Sequence, residues 1–101
     1  MFKYQDNENY NKEIQRQNTS DRKIACYSYC ENGEIIPVFF KMEDEIGYIQ
    51  TYKIKHINKI SKKLYGVERI IEFDCRIELN ERNIEVRLRH YIDSCRWVLI
   101  Q

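Results

Sequence analysis

The nine residues Ile71-Glu72-Phe73-Asp74-Cys75-Arg76-Ile77-Glu78-Leu79 alternate apolar and charged side chains without a break. Successive side chains of a β-strand point to opposite faces, so this period of two predicts a strand with one buried and one wet face. The following stretch repeats it, with Ile84, Val86, Leu88 and Ile92 on one parity and Glu85, Arg87 and Arg89 on the other. Asp93-Ser94 then turns the chain into Cys95–Ile100, where Cys95, Trp97 and Leu99 continue the inner face. A two-residue turn there sets His90 opposite Trp97. Three strands joined by short turns read as a meander.

The charges on the outer face select the register of the first two strands. A two-residue turn at Glu81-Arg82 would oppose Arg76 to Arg87 and Glu78 to Glu85. Slipping by two residues keeps the apolar face and pairs Glu72 with Arg89, Asp74 with Arg87 and Arg76 with Glu85. Each favourable cross-strand pair contributes ~0.2–1 kcal/mol, and like charges directly opposite cost a similar amount. The expected connection is therefore a four-residue loop, Leu79–Arg82, with Leu79 at its tip.

Towards the N-terminus, Lys23–Cys30 and Ile35–Met42 are β-rich runs around Glu31-Asn32-Gly33-Glu34. Asn-Gly between two such runs signals a hairpin, because a type I′ turn needs positive φ at both central residues. An unbroken ladder places Tyr29 opposite Ile36, Tyr27 opposite Val38 and Ala25 opposite Phe40. Pro37 has no amide donor and belongs at an edge or a bulge. Further on, Tyr48, Gln50, Tyr52 and Ile54 alternate as a strand would. The expectation is a strand bending near His56, then a turn over Ser61–Gly66; a helical reading of Ile54, Ile57 and Leu64 is the rival.

The composition agrees with a β-rich reading. Fifteen Ile, eight Tyr, four Phe and four Val stand against four Leu and one Ala, and β-branched and aromatic side chains favour the pleated sheet. With 101 residues, the chain suits one small domain. The expected architecture is a mostly β, strongly curved antiparallel sheet or small barrel of about six strands, of SH3-like or OB-like size, over residues 23–101. Residues 1–22, rich in Asn and Gln, read as a disordered or partly helical arm. No apolar run is long enough for a membrane-spanning helix. The polar start has no secretory signal, which points to the cytoplasm.

Several chemistries lack their residues. Glycine occurs only at positions 33, 47 and 66, so no phosphate-cradling loop can be written. No GxSxG or HExxH occurs, no catalytic residue is assigned and no cofactor is expected. A nucleophilic pair of His90 with Cys75 or Cys95 is weighed against a core histidine, and the core reading is preferred. Cys26 and Cys30 fall within zinc-ligand spacing, but on one flat strand they stand ~13 Å apart at ~3.3 Å per residue. The four cysteines are expected to be buried free thiols, with no metal.

Two surfaces remain as binding candidates. Both faces of the first hairpin are apolar, and a small domain has one core. Ile24, Cys26, Ile35 and Phe39 therefore need a cover, from the N-terminal arm, the curled-over remainder of the sheet or another chain. Barrel closure is the plainer explanation; a protein partner or a second copy would make these residues an interaction face. The alternative lies in segment 51–67, which holds Lys53, Lys55, Lys59, Lys62 and Lys63, no acidic residue, and Tyr52 and Tyr65 near its ends. Lysines beside exposed aromatics can follow a phosphate backbone and stack on bases, so Tyr52 and these lysines are candidate nucleic-acid contacts. Solvated lysines that protect a strand edge are the plainer explanation.

The pattern Cys30-x2-Gly33-x3-Pro37-x2-Phe40-Lys41, then Phe73-x-Cys75, then Tyr91-x3-Cys95-x-Trp97-x-Leu99, resembles small uncharacterised β-rich proteins of Firmicutes. The resemblance spans about Ala25 to Ile100 and implies a bacterial cytosolic origin. That family has no assigned activity, so no functional residue carries over. The functional expectation is a non-enzymatic protein-interaction module able to self-associate, with a nucleic-acid-binding accessory as the alternative.

Overall fold

A computed structural model describes residues 21–100; the expected arm lies almost wholly outside them. Six strands follow in order: β1 (Arg22–Glu31), β2 (Glu34–Glu43), β3 (Ile49–Tyr65), β4 (Glu68–Leu79), β5 (Arg82–Tyr91) and β6 (Arg96–Ile100). Each pairs antiparallel with the next, and β6 returns to β1 through Arg22–Ile24, closing a barrel. Strand β1 thus begins one residue before the expected Lys23.

Two strands turn the corners. The first part of β3, Ile49–Lys53, pairs with β2, whereas Ile54–Tyr65 pairs with β4. In β1, Arg22–Ile24 pairs with β6 and Ala25–Glu31 with β2. A three-stranded sheet is thereby folded onto a five-stranded one. The bend expected near His56 coincides with two register shifts in β3, between Ile54 and His56 and between Ile57 and Lys59. An extra residue in one strand bends it and increases its twist. The expected turn at Ser61–Gly66 is absent, because β3 continues to Tyr65 and the chain reverses at Gly66-Val67. Gly66 supplies the positive φ of 67°.

The alternating stretch behaves as its pattern requires. Phe73, Cys75 and Ile77 of β4, Leu88 of β5, and Trp97 and Leu99 of β6 meet in the core. Glu72 stands opposite Arg89, Asp74 opposite Arg87 and Arg76 opposite Glu85, the register selected by charge. The connection is tighter than the expected loop. Leu79 still pairs with Arg82, and only Asn80 and Glu81 turn, both at positive φ (53° and 63°). His90 lies opposite Trp97, as expected. Cys95 does not join the inner face; it sits exposed in the turn at φ 54°.

The first hairpin corrects the unbroken ladder. Its turn is at Asn32-Gly33 (φ 53° and 78°), and Tyr29 meets Ile36 as expected. Between Ser28 and Tyr27 the register shifts, so Tyr27 faces Phe39, Cys26 faces Phe40 and Ala25 faces Lys41. Val38 is the additional residue, next to Pro37, whose missing donor suits a break in the ladder. This reverses the parity of β2 beyond Val38. Phe40 points into the core and stacks on Tyr52 at 5.2 Å between ring centres, while Phe39 points out.

Candidate functional site

The bulge divides the residues expected to form one interaction face. Ile24, Cys26 and Ile35 pack against the core, and only Phe39 reaches the outer surface. Closure of the barrel covers Ile24, Cys26 and Ile35 within the chain. The uncovered side is the other one, built from Tyr27, Tyr29, Val38 and Phe39. Tyr27 remains 53% exposed, Tyr29 50% and Val38 37%. Tyr27 and Phe39 stack across the strands with centroids 4.4 Å apart and planes at 17°. The Lys41 ammonium stands 5.7 Å from the Tyr27 ring centre, and Lys53 is opposite Phe39. Period-two reading alone did not find this surface, since one inserted residue inverts every later side chain of β2.

The basic segment is likewise divided. Tyr52 belongs to the inner face against Phe40. Lys55 pairs with Glu78 at 3.0 Å, Lys62 with Glu34 at 3.0 Å and Lys63 with Glu72 at 2.9 Å. Lys59 stands opposite Asp74, which it helps to hold ionised. Among the described residues, only Lys53 of the five lacks an acidic neighbour of this kind. The absence of acidic residues within 51–67 was real, but β4 and the start of β2 bring carboxylates to it through space.

A second polar assembly covers the outer face of β4 and β5. Glu72 is 5% exposed and accepts from Arg89 (2.7 Å) and Lys63 (2.9 Å). Burial pushes its carboxyl pKa up, and these two cations more than offset that, leaving it below the usual value. The Arg89 guanidinium lies 4.4 Å from the Tyr65 ring centre, and that of Arg96 3.9 Å from the Tyr91 ring centre. A shallow depression is lined by Asp74, Glu85 and Arg87, each already ion-paired: Arg87–Asp74 at 2.7 Å and Glu85 with Arg76 at 2.9 Å. These contacts tie the outer faces of β4 and β5 together.

The thiols and histidines are separated as well. His90 stacks on Trp97 at 4.4 Å inside the barrel, and its Nδ1 has no hydrogen-bond partner among the described residues. Burial lowers its pKa. Cys75 is buried and Cys26 half-buried, and desolvation pushes both thiols up to about 12. Contrary to the expectation of four buried thiols, Cys30 and Cys95 are exposed. Among the described residues no three His, Cys, Asp or Glu side chains are grouped to hold a metal ion. No helix among the described residues is long and apolar enough to cross a membrane. No family model, curated protein or solved structure matches the chain.

Proposed function

We propose that this protein is a non-enzymatic, cytoplasmic protein-interaction module, and that it binds through the outer side of the β1–β2 hairpin. The observation that carries this reading is the exposure of Tyr27, Tyr29 and Val38 beside the stacked Phe39. Aromatic side chains are enriched at interfaces because they contribute much contact area for few rotatable bonds. The nucleic-acid alternative has less support, since Tyr52 is internal and Lys55, Lys62 and Lys63 are ion-paired.

A photo-crosslinking amino acid in place of Tyr29, introduced in producing cells, tests the reading. Discrete protein adducts are expected, whereas the same probe at exposed Val67 should give none. Loss of all adducts at Tyr29, or adducts to nucleic acid instead, would contradict it.

A further inference from the structure

The barrel closes through two corner strands, and each leaves a stretch of backbone with a strand neighbour on one side only among the described residues. In β3 this stretch is Ile54–Tyr65, bonded to β4 alone. It carries four lysines and two register shifts, the features by which proteins protect an open edge. In β1 it is Ala25–Glu31, bonded to β2 alone. There Ala25-Cys26-Tyr27-Ser28-Tyr29-Cys30 contains no charge, no proline and no glycine. From Tyr27 onwards both parities of β1 are exposed.

The hairpin turn fixes which backbone groups face the open side. It closes on Glu31 and Glu34, the outer residues of a two-residue turn, which bond to each other. Alternate residues of an antiparallel strand direct both backbone groups to the same neighbour. Tyr29 therefore bonds towards β2, and Cys30, Ser28 and Cys26 present theirs to the open edge. Arg22 and Ile24, of the same parity, face β6.

We propose that this edge pairs with β1 of a second copy, antiparallel about a twofold axis at Ser28. This rests on the protein-interaction reading above and names the partner. Parity requires a centre on a residue, and the middle of the uncharged run offers Tyr27 or Ser28; centring on Ser28 brings both copies' Tyr27 against a Tyr29. The pairing sets Ser28 opposite the partner's Ser28, Cys26 opposite the partner's Cys30, and Tyr27 opposite the partner's Tyr29. The tyrosines fall at positions where side chains of facing strands come closest, and aromatic cross-strand pairs are favourable. No like charges meet. The same operation on β3 would bring lysines against lysines, so charge selects β1 as the self-complementary edge.

Sedimentation equilibrium of the full reduced chain, from micromolar to near-millimolar concentration, tests this. A monomer–dimer equilibrium is expected. Ser28→Pro removes an amide that faces the open edge, and proline is tolerated at such positions. Two lost hydrogen bonds per dimer should weaken association by about tenfold to a hundredfold, with an unchanged circular dichroism spectrum. Tyr29→Lys, which places charges beside the axis, should also abolish the dimer and decides the matter if the proline variant does not fold. A wild-type chain that is monomeric throughout, or a dimer that Tyr29→Lys leaves intact, overturns the proposal. If that monomer still forms protein adducts through the Tyr29 probe, the second copy is the wrong partner and the interaction module stands.

Discussion

Tyr27 lies opposite Phe39 rather than Val38, with the two rings stacked 4.4 Å apart outside the barrel. That displacement by one residue sends the neighbouring Phe40 inside, where it is 1% exposed. Two adjacent phenylalanines thus perform different tasks, and their substitutions should separate accordingly.

Phe40→Ala removes a fully buried ring and should cost about 3–5 kcal/mol. Phe39→Ala removes a partly exposed ring from a surface pair and should cost about 1 kcal/mol or less. Urea unfolding of the two variants measures the difference. Equal losses would mean that the bulge at Val38 is misplaced.

The outer face of β4 and β5 allows a similar contrast. Glu72 is almost fully buried between Arg89 and Lys63, whereas Arg76–Glu85 is exposed on both sides. Glu72→Gln leaves Arg89 buried without its counter-charge and should destabilise by about 3 kcal/mol or more. The coupling of Arg76 with Glu85 in a double-mutant cycle should be about 1 kcal/mol at most. Near-equal values for the two would show that solvent screens Glu72 as well.

His90 gives the domain a dependence on mildly acidic pH. Burial holds its pKa in the folded chain below the ordinary 6.5. The unfolded chain then binds the proton more tightly, so stability rises with pH across this interval. The contribution is fully present above about 6.5 and is lost as pH falls towards the folded pKa. Glu72 acts in the same direction but lower, within the carboxylate range, since its pKa is also lowered. His90→Phe retains a ring against Trp97 and should flatten the stability profile between pH 5 and 6.5, roughly the range in which histidine titrates. An unchanged slope in that variant would assign the effect elsewhere.

The legible and illegible parts of the molecule differ in physical origin. Within β4, β5 and β6 the apolar period holds, failing only at Cys95 in the turn, and the facing charges of Glu72, Asp74 and Arg76 admit one favourable register, so pairing follows from local pattern. The hairpin turn was equally plain from Asn32-Gly33. The candidate interface was not, because it depends on the single inserted residue Val38, and β2 is apolar on both parities there. No alternation of charge marks the slip. The basic segment misled in another way, since its neutralising carboxylates Glu34, Glu72, Asp74 and Glu78 belong to other strands.

Backbone amide exchange along β1, followed by NMR at low and high protein concentration, tests the pairing of its open edge most directly. Tyr27 and Tyr29, bonded to β2, should be protected at both concentrations. Ser28 and Cys30 should exchange rapidly in the dilute protein and become protected as the concentration rises, because their amides then bond to a second copy. Rapid exchange of Ser28 and Cys30 at every concentration would contradict the account.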